Sequence, residues 1–240
     1  MNGARALVVV ATYNERDNIE SLLSMLLALP LKLNVLVVDD NSPDGTGTAV
    51  DAICARETRV HVLHRPAKLG LGTAHIAGMR FGLDQGFGRI ITMDADFSHH
   101  PKYVPAVADF ARNVDVVIGS RYVKGGGVLG CSLRRRALSH AANLFAGVAL
   151  GLKARDCTAG FRCYSRESLG RIDLGSILAN GYSFLIEVLF RLQQKGATVA
   201  EVPIVFEDRR FGTSKISRHE VSRAVETVFR LMRRRLLGPA

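Results

Sequence analysis

The first 120 residues alternate short, continuously apolar runs with longer amphipathic stretches. The apolar runs predict strands at residues 6–10, 35–38, 60–63, 90–93 and 114–118. The stretches between them predict helices at residues 17–29, 45–57, 72–85 and 101–112. Because these strands are continuously rather than alternately hydrophobic, each should be buried on both faces, as in a parallel sheet covered by helices. The pattern therefore predicts a doubly wound α/β fold with a Rossmann-like, mostly parallel sheet.

The pattern changes after Ser120. A glycine run at 125–127 precedes a predicted helix at about 132–150, and a loop at 156–160 precedes a short predicted strand at 161–164. The remaining predicted elements are a helix at about 182–195, a strand at 198–206 and a C-terminal, basic, amphipathic helix from about residue 219. With no internal repeat or linker, we expect one domain over residues 1–240. Within it, residues 6–120 would form the core and residues 121–235 a further elaboration.

Composition and charge limit the class of protein. No apolar stretch approaches the roughly 18–20 residues that a membrane span needs, and no signal-peptide pattern precedes the first strand, so we expect a cytoplasmic protein. The net charge of +10 invites a nucleic-acid interpretation. However, nine lysines or arginines and only two glutamates lie between Arg209 and Arg235. Such a basic amphipathic helix suits an anionic membrane surface at least as well, so we expect no nucleic-acid partner.

The four cysteines, Cys54, Cys131, Cys157 and Cys163, form no Cys-x-x-Cys pair and match no zinc spacing. We expect them to be reduced and structural in a cytosolic protein.

Acidic and polar side chains directly follow three of the predicted strands. The segments are Ala-Thr-Tyr-Asn-Glu at 11–15, Asp-Asp-Asn-Ser-Pro-Asp-Gly-Thr at 39–46 and Asp-Ala-Asp-Phe-Ser-His at 94–99. At the carboxyl ends of parallel strands these side chains would meet in one crevice. Clustered carboxylates are stable chiefly around a cation or hydrogen-bond donors. The Asp-x-Asp spacing suits a divalent metal that bridges two phosphates; the alternative is a turn that merely ends the strand.

Two common nucleotide-binding patterns are missing from the sequence. The segment 70–72 resembles the start of a dinucleotide-binding loop, but His75 occupies the third glycine position and the first strand runs into Tyr13 rather than a glycine loop. No Walker A sequence is present. We therefore disfavour a Rossmann dehydrogenase or a P-loop enzyme, and expect segment 70–72 to begin a helix beside the nucleotide, with Lys68 nearby.

The ordered set of motifs resembles the polyprenyl-phosphate mannosyltransferases, or dolichol-phosphate-mannose synthases, of the family 2 glycosyltransferases with the GT-A fold. The resemblance covers about residues 6–235. It is carried by segments 12–15, 37–46, 94–96, 119–122, 160–162, 181–184, 201–204 and 208–215.

The resemblance assigns expected roles to individual residues on the donor side. The nucleoside pocket would be lined by Ala11, Tyr13, Glu15, Val38 and Asp40, and Asp40 would accept hydrogen bonds from the base or ribose. Asp94, Ala95 and Asp96 would meet the donor diphosphate and sugar. The metal, Mg²⁺ or Mn²⁺, would be held by Asp96, Asp94 and Ser98.

The resemblance also implies cationic and acceptor-side residues. Arg121, Arg209 and Lys215 would supply positive charge to the donor and acceptor phosphates, and the catalytic set would be Asp94, Asp96 and Arg121. The acceptor phosphate would be bound by Ser139 and by Arg135 or a neighbour in the arginine run 134–136. These two residues would lie at the start of a membrane-facing helix.

The implied reaction is an inverting, metal-dependent transfer of mannose from GDP-mannose to a polyprenyl monophosphate at the cytoplasmic face of a membrane. A lipid phosphate is already anionic and needs no strong general base, so His99 and His100 are expected to be loop residues or secondary contacts. Transfer from a uridine nucleotide sugar, transfer to a soluble acceptor, and a membrane-anchoring partner protein remain open. A non-catalytic basic binding module is the more distant alternative.

Overall fold

The computed structural model describes residues 5–207 and 218–237, and its first half alternates strands and helices as the hydrophobic pattern predicts. The strands are β1 (Ala6–Thr12), β2 (Leu33–Asp39), β3 (Val60–His64), β4 (Arg89–Asp94) and β5 (Val116–Ser120). The helices are α1 (Arg16–Leu27), α2 (Thr46–Cys54), α3 (Leu71–Asp84) and α4 (Val104–Phe110), the last preceded by a 3₁₀ turn at Pro101–Tyr103.

The second half contains the three predicted helices and the strand predicted at residues 161–164, together with three short elements that the hydrophobic pattern does not reveal. The elements are β6 (Gly127–Leu129), α5 (Leu133–Leu150), β7 (Arg162–Ser165), α6 (Arg166–Leu169), a 3₁₀ turn (Leu174–Ser176), α7 (Ser183–Gln194), β8 (Val199–Pro203), β9 (Val205–Glu207) and α8 (Arg218–Leu237). β6, α6 and the 3₁₀ turn are only three or four residues long, too short to give a hydrophobic period.

Seven strands form one sheet in the order β3-β2-β1-β4-β7-β5-β8. All neighbouring pairs are parallel except those of β7, which runs antiparallel between β4 and β5. The predicted mostly parallel sheet is therefore confirmed, and the two parts of the chain on either side of residue 120 contribute to the same sheet.

The single strand predicted at residues 198–206 is wrong, because the structure divides it after Pro203. β8 pairs with β5 in the large sheet, whereas β9 pairs with β6 in a separate two-stranded sheet. Proline has no backbone N–H to continue a ladder. The next residue, Ile204, redirects the chain: its N–H donates to the Ser120 carbonyl and its carbonyl accepts from Gly127.

The sheet is buried on both faces. Along β1, Leu7 and Val9 pack into one hydrophobic cluster and Val8 and Val10 into the other, and all four are fully buried. The first cluster includes residues of α3, α5, α7 and α8, and the second includes residues of α1, α2 and α4. This two-sided burial explains why the strand sequences are continuously apolar.

Gly78 allows α3 to pack closely on the sheet. A Cβ atom at this position would lie 2.2 Å from Cγ1 of Val9, far inside van der Waals contact. The close approach brings the start of α3, at Leu71, to the carboxyl edge of the sheet beside the ends of β1 and β2.

The basic C-terminal helix, α8, packs against α5 and α7. Val228 and Leu231 are buried in the same cluster as residues of those helices, and the Arg230 guanidinium donates to the buried Glu187 carboxylate of α7 at 2.8 Å. Within the described residues, no helix combines the length and the apolar character needed to cross a bilayer.

Candidate active site

Three neighbouring parallel strands bring the predicted motifs to one edge of the sheet. β1 lies between β2 and β4, with Thr12 beside Asp39 and Ala11 beside Asp94 in the strand register. The chain turns sharply after each strand through a residue of positive φ: Asn14 at 60°, Asn41 at 59° and Phe97 at 62°. Asparagine adopts this region at little cost, but phenylalanine does so rarely. The surrounding contacts must therefore hold the turn after β4.

Asp39 fastens the ends of β1 and β2 together. Its Oδ1 accepts hydrogen bonds from the hydroxyls of Thr12, at 2.9 Å, and Ser42, at 2.6 Å, and its Oδ2 accepts from the Ser42 N–H at 3.0 Å. The side chain is buried. Asp39 is therefore engaged within the protein, where it fixes the loop after β2.

Asp40 forms a buried ion pair that the sequence analysis did not anticipate. Its Oδ1 lies 2.5 Å from Nη1 of Arg65, and its Oδ2 accepts from the Gly70 N–H at 2.8 Å. Arg65 also donates from Nη2 to the Thr73 hydroxyl at 2.8 Å. Arg65 directly follows β3, the neighbour of β2, so its place in the strand order was the available signal. The pair joins the loop after β2 to the start of α3, and contact of Asp40 with a nucleoside stays a prediction.

The loops after β1 and β2 are also bonded to each other. The Glu15 N–H donates to the Thr46 hydroxyl and the Arg16 N–H to Asp44 Oδ2, both at 3.0 Å. Burial disfavours ionisation of Asp44, but its hydrogen bonds from Thr46 and Arg16 outweigh this effect and lower its pKa. The Asp44 carboxylate thus clamps the start of α1 to the start of α2.

Tyr13 and Lys68 face each other across the opening of the predicted nucleoside pocket. The Lys68 ammonium lies 3.8 Å from the centroid of the Tyr13 ring, within the range of a cation–π contact. Lys68 therefore lies beside Tyr13, and contact of either residue with a nucleotide stays a prediction. Of the other predicted pocket residues, Val38 is buried in β2 and Ala11 is half-buried in β1.

The Asp-x-Asp motif begins on the last residue of β4 and continues into the turn. Asp94 is half-buried, whereas Ala95 and Asp96 are buried. Asp96 Oδ1 accepts from the N–H of Ser98 at 3.0 Å and from its hydroxyl at 2.5 Å. The structure thus brings Asp96 and Ser98 together, and Asp94 lies two residues before Asp96 at the end of β4.

Carboxylate and hydroxyl oxygens suit a hard cation such as Mg²⁺ or Mn²⁺. Among the described residues, no group of three or more His, Cys, Asp or Glu side chains could hold a metal alone. Beside phosphates, Mg²⁺ takes one or two protein carboxylates and completes its shell with phosphate and water oxygens. The residues present fit that arrangement.

Arg121, which follows β5, is held by a carboxylate that the sequence analysis did not single out. Its Nε and backbone N–H donate to Asp156 Oδ2 at 2.8 and 3.0 Å, and its Nη2 donates to Oδ1 at 2.7 Å. Burial opposes the charge, but the bonds to Asp156 outweigh it and raise the pKa of Arg121. Because this pair is nearly neutral as a unit, a phosphate would meet less positive charge than an isolated arginine provides. Contact of Arg121 with phosphate stays a prediction.

The predicted acceptor residues lie on the inward side of α5. Arg135 and Ser139 are half-buried, whereas the adjacent Arg134 and Arg136 are exposed. Four residues separate Arg135 from Ser139, so both lie on one face of the helix. Which arginine of the run 134–136 binds the acceptor phosphate stays a prediction. The Ser139 hydroxyl accepts a hydrogen bond from Tyr122 Oη at 2.8 Å.

Two predicted cationic residues, Arg209 and Lys215, lie outside the described residues, as does the rest of the segment at 208–215. Cys157 and Cys163 are buried and Cys54 and Cys131 are half-buried, and the reduced state of all four stays a prediction. Burial raises the pKa of Cys157 to about 11 and that of Cys163 to about 12, so neither is a reactive thiolate near neutral pH.

Comparisons with known proteins agree with the motif analysis. A family model described as glycosyl transferase family 2 matches residues 7–173. An undecaprenyl-phosphate mannosyltransferase from Micrococcus luteus is 43% identical over 226 residues, covering 94% of this chain and 93% of the relative. A polyprenol monophosphomannose synthase from Mycolicibacterium smegmatis is 42% identical over 223 residues, covering 92% of this chain and 84% of the relative.

Solved structures give the fold. Glucosyl-3-phosphoglycerate synthase from Mycobacterium tuberculosis, in complex with Mn²⁺, UDP and glucosyl-3-phosphoglycerate, matches with a TM-score of 0.69 and 19% identity, over 96% of this chain and 80% of that chain. The same enzyme with Mg²⁺ and UDP matches with a TM-score of 0.67 and 20% identity, over 96% and 80%. At such low identity the likeness concerns the fold alone. It confirms the predicted fold class, α/β with a GT-A-like, mostly parallel sheet.

Proposed function

We propose, from the premise that this chain belongs to glycosyl transferase family 2 and is a glycosyltransferase, that it moves mannose from GDP-mannose to a polyprenyl monophosphate. One observation carries the proposal: Asp94 and Asp96 lie at the same edge of the sheet as the loops that follow β1, β2 and β3. The named activities of the 42–43% identical relatives supply the sugar and the acceptor class.

On the donor side, the protein residues would bind the nucleotide sugar and orient it for the reaction. The nucleoside would lie against Tyr13 and Lys68, whose ring and ammonium are 3.8 Å apart, and near Asp40, which Arg65 and Gly70 hold in place. The diphosphate would then reach Asp94 and Asp96. Since two carboxylates repel a diphosphate, we propose that they hold Mg²⁺ or Mn²⁺, which when bound neutralises charge on the departing nucleoside diphosphate.

On the acceptor side, a phosphate oxygen of the lipid attacks the anomeric carbon. The new bond joins that oxygen to the carbon, the bond from the carbon to the diphosphate oxygen breaks, and its electron pair leaves with GDP. A single displacement of this kind inverts the anomeric configuration. The nucleophile is already anionic near neutral pH, so its attack requires no general base.

The histidines nearest the edge fit this mechanism. Burial lowers the pKa of His75 to about 3, so its ring is neutral at physiological pH. His99 uses Nδ1 to accept a backbone hydrogen bond. The protein residues would therefore contribute alignment and charge stabilisation rather than proton abstraction.

A transfer assay tests the proposal. GDP-mannose and UDP-glucose are offered separately to vesicles that contain polyprenyl phosphate, with and without EDTA. We expect transfer from GDP-mannose that EDTA abolishes, and a loss of at least about a hundredfold in Asp96→Asn. Asp109→Asn is the matched control, because that carboxylate lies on the exposed face of α4 and its variant should keep full activity.

Each other outcome has a definite meaning. Transfer from UDP-glucose alone would overturn the proposed donor and keep the acceptor. Full activity of Asp96→Asn with metal present would exclude the proposed metal site. Absence of transfer from both donors, with salt-dependent binding to RNA or DNA, would favour the non-catalytic binding module.

We also propose that α5 and α8 rest on the cytoplasmic face of a membrane. The outer side of α5 exposes large apolar side chains, including Val148 at 74%, and Phe145 there touches the exposed Phe229 ring of α8, with centroids 6.2 Å apart. Exposed arginines border this face: Arg134, Arg136, Arg223, Arg233 and Arg234. Apolar residues flanked by arginines fit the interface of a bilayer, and the anionic lipids of the cytoplasmic leaflet would attract the charges.

Vesicle sedimentation tests this placement. We expect binding to vesicles rich in phosphatidylglycerol that weakens as NaCl rises, and a loss of most binding in the double variant Leu144→Ser with Val148→Ser. Phe110→Ser, which removes an exposed apolar residue from α4, should bind as the unaltered protein does. If the unaltered protein binds no vesicles, membrane contact would instead require an anchoring partner protein.

A further inference from the structure

His99 lies directly behind the Asp-x-Asp motif and bonds to its first residue. The ring is 3% exposed, and Nδ1 accepts the backbone N–H of Asp94 at 3.1 Å. The same nitrogen is 3.6 Å from Asp94 Oδ2. Because Nδ1 is the acceptor, the ring proton belongs on Nε2. The hydrogen bond closes the turn between residues 94 and 99.

The surroundings of His99 leave its ring little freedom. Phe161 stacks on one face, with centroids 5.6 Å apart and an interplanar angle of 21°, and Phe206 meets the ring edge-on at 5.6 Å. Phe161 is itself fully buried. At Gly160, a Cβ would lie 3.5 Å from His99 Cε1 and 3.6 Å from Asp94 Oδ1. The segment 160–161 therefore packs against both residues at once.

The turn between Asp94 and His99 is unfavourable by itself. Phe97 has a φ of 62°, a conformation that bulky residues rarely adopt and that carries an energetic cost. Two interactions across the turn oppose that cost: Ser98 bonds to Asp96, and His99 bonds to the Asp94 N–H. The second of these joins the first residue of the turn to its last.

We infer that His99 is a positioning residue that holds Asp94 for metal and nucleotide diphosphate, acting through the Asp94 backbone without touching either ligand. This inference rests on the proposed function, because it assumes that Asp94 faces the donor diphosphate. A residue that only filled the space between Phe161 and Phe206 would affect stability alone. A positioning residue affects ligand affinity in protein that is already folded.

Three substitutions of His99, to asparagine, glutamine and phenylalanine, separate these roles. The amide of asparagine superimposes on Nδ1 of histidine and can still accept the Asp94 N–H, whereas the amide of glutamine reaches the position of Nε2. His99→Phe keeps an aromatic ring and provides no acceptor. His100→Gln is the matched control, because Nδ1 of His100 also accepts a backbone N–H, from Lys102 at 3.1 Å, and that bond lies outside the turn.

The experiment is calorimetric titration of each full-length variant with Mn²⁺ and GDP, repeated with UDP, together with a thermal melt. We expect His99→Gln and His99→Phe to bind the metal nucleotide at least about tenfold more weakly, the scale of one unpaired buried N–H. We expect His99→Asn to recover most of the affinity and His100→Gln to bind as the unaltered protein does. Donor KM for the His99 variants should rise in step with these dissociation constants.

Equal affinities in all variants, with melting temperatures lowered in the His99 series, would overturn the inference and leave the proposed function standing. An equal loss in His99→Asn and His99→Gln would also overturn it. Binding of UDP in place of GDP would correct the donor, and the same comparison of variants would then decide the role of His99 with UDP. If the unaltered protein bound neither nucleotide with Mn²⁺, both the inference and the proposed function would fail.

Discussion

The buried ion pair between Arg65 and Asp40 offers a direct test of how the predicted nucleoside pocket is built. The two side chains are 9% and 5% exposed, and Nη1 lies 2.5 Å from Oδ1. Arg65→Met keeps most of the aliphatic volume and removes the guanidinium. The Asp40 carboxylate would keep its hydrogen bond from the Gly70 N–H at 2.8 Å. It would lose the positive charge of Arg65, and little water could reach the buried carboxylate in its place. Breaking a buried pair in this way costs about 3–5 kcal/mol.

The second hydrogen bond of Arg65 adds to the expected loss. Removal of the guanidinium also withdraws the donor that reaches the Thr73 hydroxyl at 2.8 Å, a contribution of about 1 kcal/mol. We therefore expect the free energy of unfolding of Arg65→Met to fall by about 5 kcal/mol. For a chain of this length that loss lowers the melting temperature by roughly 10–20 °C.

A double-mutant cycle isolates the pair from these other effects. Urea unfolding would be followed by circular dichroism for Arg65→Met, Asp40→Asn and the double variant, and we expect a coupling energy of about 3 kcal/mol. The control cycle uses Arg16→Met and Glu20→Gln. That pair is 2.6 Å apart with both side chains about half exposed, so its coupling should stay below about 0.5 kcal/mol. A coupling at Arg65 no larger than that of the control would refute the reasoning.

Two further predictions concern packing and pH. Gly78→Ala should cost about 1–3 kcal/mol in unfolding free energy, because its Cβ would lie 2.2 Å from Val9 Cγ1. Gly147→Ala in α5, where nothing lies within 4 Å, should be neutral or gain up to about 1 kcal/mol, and equal effects would contradict the packing argument. Burial lowers the pKa of His75 to about 3, against about 6.5 when unfolded, so between these values the unfolded state binds the extra proton. The contribution of His75 to stability is therefore complete above pH 6.5 and is lost as the pH falls towards 3. From pH 7 to pH 5 the unaltered protein should lose about 2 kcal/mol more than His75→Phe, and parallel losses in urea unfolding would show that His75 is not the cause.

The sequence was sufficient to predict the strands that are buried in the same way along their whole length. β1 and β2 are buried on both faces, so residues 6–11 and 35–38 are apolar without interruption and stand out. The orientation of β7 could not be predicted in this way, because a four-residue buried strand has the same composition whichever way it runs. The break after Pro203 carried a local signal, since proline cannot continue a ladder, but the second sheet formed by β6 and β9 depends on pairing between segments that are far apart in sequence.

In the candidate site, too, some residues could be predicted from the sequence and others could not. Side chains at strand ends, such as Asp94 and Asp96, were found because the order of parallel strands carries them to one edge. Arg65 and Asp156 were missed, because each pairs with a residue 25 or 35 positions away and neither stands in an unusual local pattern. Arg162 was quoted only as part of a motif. In the structure its side chain is fully buried and donates hydrogen bonds to the backbone carbonyls of Cys157, Ala159 and Leu185. The spacing of the motif alone does not reveal this role.

The acceptor-side helix is joined to the sheet edge by a continuous set of hydrogen bonds. Asn143 of α5 donates to the Thr158 hydroxyl at 3.0 Å and accepts from the Thr158 N–H at 3.1 Å. The same hydroxyl accepts from Arg121 at 2.9 Å, and Tyr122 next to it bonds to Ser139 of α5 at 2.8 Å. The residues in this set are partly or fully buried, so water competes only weakly for their hydrogen bonds. The position of α5 relative to Arg121 is therefore fixed by the folded chain, and an acceptor phosphate bound on the inner side of α5 would meet the sheet edge at a distance set before any ligand arrives.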